Sequence, residues 1–440
     1  MTHDGIATDG RQLLLAYYGD DFTGSTDVME VMELAGIPTE LYLDLPTPTD
    51  IARDPTLRAI GVAGASRTWS VEQMDRELPR VFAGLTGLGA RTVHYKVCST
   101  FDSSPSVGSI GRALEIARSS VTSAGVPMVI GSPDLGRYCL FGELYARAAG
   151  RVHRLDRHPT LPDHPITPMR EADLLRHLRH QTDLPTTSID VLALDGPWDA
   201  LEARYQAALR DAAVILFDVL RAEHLPRIGR LMWAAPGGPS PCLVGSSGIE
   251  SALIAHWREQ GWLRGPGPHA VANEAAFQLV LSGSCSEATR TQLDHAAAAG
   301  YTLIRLPSDG GVQAVAQVAD DALAVLERGR SAAVFTALGP TECVDPTVSA
   351  QVGERLADVA AAVLTRVRPP RFVVTGGDTS GRVATRLGID ALRFVASIAP
   401  GAPLCRARAR DQRIDGLEIA LKGGQVGGPA YLEQVRRGRP

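Results

Sequence analysis

The chain alternates short apolar runs with segments whose apolar residues recur at helical spacing. Leu13-Leu14-Leu15-Ala16-Tyr17-Tyr18 reads as a buried strand, and Thr26 to Leu34 carries a helical face before Gly36 stops it. Leu41-Tyr42-Leu43, Ala59-Ile60-Gly61-Val62, Thr92-Val93-His94-Tyr95, Met128-Val129-Ile130 and Val214-Ile215-Leu216-Phe217 read as further strands, with helical segments such as Val107 to Arg118 between them. Strands that alternate with helices predict a mainly parallel sheet covered on both faces. A second series follows: Gln278-Leu279-Val280-Leu281, Thr302-Leu303-Ile304, Ala332-Ala333-Val334-Phe335 and Arg371-Phe372-Val373-Val374, with helices over Val312 to Leu326 and Ala350 to Val367.

Between the two series the Gly/Pro run Arg264-Gly265-Pro266-Gly267-Pro268 marks an interdomain linker, with Ser240 to Ser247 a competing boundary. The expected organisation is an α/β fold of two domains, residues 1–263 and 276–440 joined by a linker at 264–275, each with a mainly parallel sheet flanked by helices. A length of 440 residues agrees with more than one core.

Composition narrows the class. With 45% hydrophobic and 21% charged residues this is a globular composition, and no apolar run approaches the roughly 18 residues needed to span a bilayer. Met1 to Arg11 lacks the features of a secretory signal and reads as a frayed tail, so a cytoplasmic protein with no membrane partner is expected. A net charge of -5 gives no general attraction to nucleic acid; Arg406, Arg408 and Arg410 read as a solvated arginine face. The six cysteines, Cys98, Cys139, Cys242, Cys285, Cys343 and Cys405, form no C-x-x-C pair and are expected to be reduced thiols.

The candidate chemistry lies where strands end. Thr375-Gly376-Gly377-Asp378-Thr379-Ser380-Gly381 follows a strand and places bare backbone N–H groups and hydroxyls where a helix begins, the outline of a phosphate site, although glycine pairs after strands are also ordinary turns. Ser282-Gly283-Ser284-Cys285-Ser286 repeats that logic; a plain helix cap is its alternative. Lys422-Gly423-Gly424 adds a cation and unhindered backbone near the end of the chain, and Pro400-Gly401-Ala402-Pro403 a further wall. None of these is a Walker loop or a dinucleotide fingerprint.

In the first half, Gly19-Asp20-Asp21-Phe22-Thr23-Gly24 crowds two carboxylates at a strand end. One suits a general base and the other an anchor for hydroxyls, with a turn-and-cap role as the alternative. Lys96-Val97-Cys98-Ser99-Thr100-Phe101-Asp102-Ser103 offers a cation, an acid and hydroxyls, a mixture fitted to an anionic polyhydroxylated ligand, with Lys96 for its carboxylate. Arg157-His158-Pro159-Thr160 and Pro165-Ile166-Thr167-Pro168 read as a loop over a cleft. His177 and His180 read as a solvated helix face, and no metal ligand set is identified.

Taken in order, Gly19-Asp20-Asp21-Phe22-Thr23-Gly24, Gly283-Ser284-Cys285-Ser286, Gly376 through Gly381, Pro400-Gly401-Ala402-Pro403 and Lys422-Gly423-Gly424 resemble the four-carbon acid sugar kinase family. The resemblance implies an amino-terminal domain that holds an acid sugar, a carboxyl-terminal domain that holds ATP, and an active site in the interdomain cleft. It implies Asp20 and Asp21 at the sugar, with Asp21 taken as the catalytic base, and Ser284, Gly376, Gly377, Asp378, Thr379 and Gly424 at ATP; Lys96, Ser99, Thr100, Asp102 and Arg137 are expected at the sugar beside them, and Mg²⁺ is expected as the accompanying ion. Where family members carry Lys-x-Asp-Ser-Thr-Leu-Arg-Gly, this chain has Cys98 for the Asp and Ser103 for the Arg. Gly131-Ser132-Pro133-Asp134-Leu135-Gly136-Arg137 keeps only the Gly-Arg of the family's Pro-Ala-Phe-Pro-x-x-Gly-Arg.

The expected function is ATP-dependent phosphorylation of a primary hydroxyl of a tetronate, a 3-oxo-tetronate or a branched relative such as 3-oxo-isoapionate, in carbohydrate catabolism. The expected partners are the acid sugar and ATP, with a homodimer left open. A different phosphosugar-processing transferase or hydrolase, or a non-catalytic sensor, are the competing readings.

Overall fold

The computed structural model describes residues 12–121, 125–148, 150–163, 167–233, 241–263, 271–342 and 346–440. The amino-terminal tail, linker residues 264–270, Pro165 and Ile166, Ser240 and Cys343 therefore lie outside the described residues. The chain divides into two compact units, Met1–Thr39 with Asp44–Gly267, and Glu40–Leu43 with Pro268–Pro440.

The strands of the first half are Leu15–Gly19 (β1), Thr39–Tyr42 (β2), Ala59–Ala63 (β3), Val93–Lys96 (β4), Val126–Val129 (β5), Arg137–Leu140 (β6), Glu143–Ala148 (β7), Arg151–Arg154 (β8), Thr186–Ile189 (β9), Val214–Phe217 (β10) and Cys242–Gly245 (β11). In the first unit they line up as β3-β1-β4-β11-β5-β10-β9, every pair parallel. β1, β4, β5, β10 and β11 are buried along their whole length, as strands covered on both faces must be, which explains their nearly unbroken apolar runs. β11 falls inside the stretch weighed as a rival boundary; Cys242 to Gly245 instead pair with β4 and β5 in the centre of this sheet. β6, β7 and β8 form a separate antiparallel sheet.

The second half supplies Gln278–Ser282 (β12), Thr302–Arg305 (β13), Ala332–Phe335 (β14), Arg371–Thr375 (β15), Ile389–Ala399 (β16), Ala402–Ala409 (β17) and Glu418–Lys422 (β18). Their order is β13-β14-β12-β15-β18-β17-β16-β2. The first five are mutually parallel, and the last three run antiparallel to their neighbours. Pro400 and Gly401, read from the sequence as a wall, are the turn joining β16 to β17, with Gly401 at φ 74°.

β2 is the exception to a simple division of the chain. Although Glu40–Leu43 lies early in the sequence, it belongs to the second unit, where Glu40, Leu41 and Tyr42 pair antiparallel with Arg393, Leu392 and Ala391. Glu40 is fully buried and answers Arg393 at 3.0 Å and Arg408 at 2.9 Å. Arg408 is thus half-buried in an ion pair rather than part of a solvated face, and Arg406 faces Glu418.

Cys98, Cys139, Cys242 and Cys405 are free thiols, as expected. Cys285 is disulfide-bonded, which corrects the expectation of reduced thiols at that position: separation along the chain does not limit approach in the fold.

Candidate active site

Near the middle of each sheet the connections from two neighbouring strands leave in opposite directions, a reversal beyond which α/β sheets place their ligands. In the first unit the reversal falls between β1 and β4; in the second it falls between β12 and β15. The Asp20-Asp21, Lys96, Ser284 and Gly376 motifs follow these four strands, and the Gly424 motif follows β18.

In the second unit three loops meet. Gly283 N–H donates to Thr375 O at 3.1 Å, and Gly376 N–H donates to Lys422 O at 2.9 Å. Ser286 Oγ and Thr289 Oγ1 donate to Gly424 O at 2.6 and 2.9 Å, and Ser284 Oγ accepts from Ser286 N–H at 3.2 Å. Ser286 also caps the helix Glu287–Ala298 through Thr289 N–H, so the cap role and the loop role coexist. The approach is close enough that any side chain in place of Gly283 or Gly424 would displace a neighbouring hydroxyl. A Cβ on Gly283 would sit 2.2 Å from Thr379 Oγ1, and one on Gly424 2.3 Å from Ser284 Oγ.

Gly376 has φ 111°, a conformation open to glycine, and turns the chain into the helix Gly377–Arg386. No N-cap side chain bonds to that helix start, which leaves its first-turn N–H groups without a capping acceptor, a state suited to phosphate. Asp378 is exposed, while Thr379 is buried. Lys422 is fully buried, with Nζ 3.0 Å from Gly423 O and 5.6 Å from the Tyr431 ring centre, and burial lowers its pKa to about 7. Thr289 and Gln292, which holds the carbonyls of Val426 and Gly427, were not anticipated; their positions on one face of the helix after the serine loop were the available signal.

In the first unit Asp20 and Asp21 are joined by a cation that the sequence reading missed. Arg67, on the short helical turn Ser66–Thr68 after β3, reaches Asp20 Oδ2 through Nε at 3.2 Å. Its Nη2 reaches Asp20 Oδ1 at 2.7 Å and Asp21 Oδ1 at 2.9 Å. Asp20 is buried, and burial raises its pKa against the opposing pull of Arg67. Asp21 is the N-cap of the helix Phe22–Leu34, accepting from Gly24 N–H at 2.9 Å through the same Oδ1. Asp21 Oδ2 carries none of these bonds, and its carboxylate is the more open of the two, 24% exposed against 3%.

Lys96 ends β4 almost fully buried; its Nζ donates to Val97 O at 3.1 Å and lies 3.7 Å from Asp27. In the following loop Cys98 Sγ touches Thr100 Oγ1 at 2.8 Å, and Thr100 donates to Asp102 Oδ1 at 2.9 Å. Ser99 is half-buried beside them. Burial raises the Cys98 pKa to about 11, so its thiol is neutral. Arg137 begins β6, and its charge lies within electrostatic reach of Cys98 and Asp102. His177 is turned inward, 3.1 Å from Ser103 Oγ and edge-on to Phe101, which corrects its reading as part of a solvated face; His180 is exposed. Among the described residues no cluster of three or more His, Cys, Asp or Glu side chains forms a metal cage, and no helix is long and apolar enough to cross a membrane.

One unit thus presents paired carboxylates, arginines and hydroxyls, and the other presents glycine turns and an uncapped helix start. That division is the one a sugar kinase requires. Residues 15–253 match the family model of a sugar-binding N-terminal domain, and residues 279–432 match that of a nucleotide-binding C-terminal domain. The chain is 46% identical to a 3-oxo-isoapionate kinase of Paraburkholderia graminis over 97% of its own length and 95% of the relative's. It is 31% identical to a 3-oxo-tetronate kinase of Cupriavidus necator, covering 96% of each. A crystal structure from Salmonella typhimurium described as a putative tRNA synthase shares the fold, with a TM-score of 0.80 at 22% identity, over 98% of this chain and 100% of that one. The chain belongs to the four-carbon acid sugar kinase family.

Proposed function

We propose that the protein transfers the γ-phosphoryl group of ATP to a primary hydroxyl of a small acid sugar, with 3-oxo-isoapionate the leading substrate and 3-oxo-tetronates next. The observation that carries this reading is Asp21 at the end of β1. Its Oδ1 is committed to Arg67 and to the helix amide, while Oδ2 is left to accept a proton. In the proposed step the substrate hydroxyl gives its proton to Asp21 as its oxygen bonds to Pγ, and the bond from Pγ to the β,γ-bridging oxygen breaks to release ADP. Positioning and charge neutralisation supply most of the catalysis in such transfers. The preference for 3-oxo-isoapionate rests on the 46% identity to the Paraburkholderia kinase.

On this reading the triphosphate is held by the amides of Gly376, Gly377, Asp378 and Thr379, with Ser284 and Gly424 shaping the same junction. Mg²⁺ would accompany it, bound chiefly by phosphate oxygens and water as this ion prefers, with the exposed Asp378 as the carboxylate at hand. The bound ion would offset charge on the transferring group. Residues 1–263 are proposed as the sugar-binding domain and 276–440 as the nucleotide-binding domain, with the exchanged strand β2 assigned to the latter. A cytoplasmic setting, where ATP and sugar acids meet, completes the proposal, and neither nucleic acid nor membrane takes part.

The test couples ADP release to a panel of four- and five-carbon sugar acids, with mass spectrometry of the product. Asp21→Asn is expected to abolish turnover with ADP binding retained, and Gly377→Val to abolish ADP binding. Normal turnover by both variants would overturn the site assignment.

A further inference from the structure

Three cations stand in the sugar-binding unit near the ends of β1, β4 and β5, and two are already neutralised. Arg67 is held by Asp20 and Asp21. Lys96 is 2% exposed and faces Asp27, and its Nζ donates a hydrogen bond to Val97 O. Arg137 differs. It follows Gly136, whose φ of 66° reverses the chain after the turn Pro133–Leu135 and directs β6 back past the end of β5. Its Nη1 donates to the carbonyl oxygens of Leu135 and Gly136 at 3.0 and 3.4 Å, whereas its Nε–H is shielded from water and meets no acceptor.

Among the described residues no carboxylate is hydrogen-bonded to this guanidinium. Burial pushes its pKa down, and the groups that oppose this are Cys98 and Asp102. The Cys98 thiol is itself neutral, and the Asp102 carboxylate, which accepts from Thr100, acts on the guanidinium through space without a hydrogen bond to it. His158, in the Pro-punctuated loop after β8, faces the same positive charge, which lowers its pKa further after burial has done so. A shielded N–H without an acceptor costs free energy that an incoming anion would recover, and a guanidinium fork matches a carboxylate at two points.

We propose that Arg137 anchors the carboxylate of the acid sugar, and that Lys96 serves instead as the internal counter-ion of Asp27. The proposal rests on the acid sugar kinase reading and deepens it, because it names the residue that makes the site select an acid over a neutral sugar. It shifts the carboxylate from Lys96, where the sequence alone placed it, to the Gly-Arg pair.

The experiment compares wild type, Arg137→Met and Arg137→Lys with 3-oxo-isoapionate and with its uncharged amide. Arg137→Met is expected to raise KM for the acid roughly 10- to 100-fold, the loss of a charge-assisted bond, with KM for ATP unchanged. Arg137→Lys should recover part of that loss. For the amide, wild type and both variants should be alike, which a merely structural role would not produce. Equal loss for acid and amide, or no loss for either, overturns the anchor. Calorimetry with the acid in the absence of ATP separates the two readings. If the acid binds in an Arg137-dependent way without turnover, the anchor stands and the kinase reading falls. If turnover occurs but is indifferent to Arg137, the anchor falls alone. If wild type neither binds nor phosphorylates the acid, both fall.

Discussion

Arg67 grips Asp20 at two points, Nε to Oδ2 at 3.2 Å and Nη2 to Oδ1 at 2.7 Å, across 47 residues of sequence. The pairing allows two adjacent carboxylates to stand at the end of one strand, since the second, Asp21, shares the same Nη2 at 2.9 Å. Without the guanidinium the two would repel each other, and the buried Asp20 would favour its protonated form.

Arg67→Met is therefore expected to lower kcat/KM by roughly 100-fold or more and to destabilise the protein by about 3 kcal/mol, because a buried carboxylate loses its partner. Kinetics together with chemical denaturation check both effects. Unchanged stability with lost activity would mean that the pair is catalytic without being structural.

Lys422 should make nucleotide binding depend on pH. With its pKa lowered to about 7 by burial, it is mostly charged at pH 6 and mostly neutral at pH 9. A polyphosphate favours the charged form and raises that pKa, so binding takes up a proton above pH 7 and ADP affinity weakens as pH rises from 7 to 9. Calorimetry at pH 8 in buffers of different ionisation enthalpy should detect an uptake of up to about one proton in wild type, and none in Lys422→Met.

Gly424→Ala should raise KM for ATP by roughly tenfold, the equivalent of about one hydrogen bond. The new Cβ would stand 2.3 Å from Ser284 Oγ, so Ser284 must leave its contacts with Ser286 N–H and Thr289 Oγ1. Sugar-acid binding measured without ATP should be unaffected, and a matching loss there would refute a purely nucleotide-side role.

Glu40→Ala should loosen the second unit by about 3 to 5 kcal/mol, because Arg393 and Arg408 lose the buried carboxylate they share. Hydrogen exchange over β16 and β17 reads this directly. Slow exchange preserved there would show that backbone pairing of β2 with β16 holds the strand without the ion pairs.

Much of the proposed nucleotide side was legible as structure because its signals are local. A strand, then glycine, then hydroxyls at the start of a helix is a contiguous pattern, and Ser284, Gly376, Gly377 and Thr379 stand where that pattern put them. The meeting of the Gly424 loop with the Ser284 loop is not local: it arises because β15 lies between β12 and β18. On the sugar side the carboxylates were legible and their partner was not. Arg67 sits in a segment with no motif, and only the parallel pairing of β1 with β3 brings its turn to the end of β1. His177 seemed solvated because a six-residue helix has too few positions to show which face turns inward.

The sequence by itself determined the alternation of strands and helices, the positions of the strand-end loops and the kind of atoms each loop offers, because these depend on periodicity and on neighbouring residues. Only the tertiary structure decided which charges meet: Arg67 with Asp20, Lys96 with Asp27, Glu40 with Arg408, and Arg137 with no carboxylate hydrogen-bonded to it among the described residues. Strand order sets those encounters, and strand order follows from how separate segments bury their apolar faces together, a property of the whole chain that no short stretch encodes.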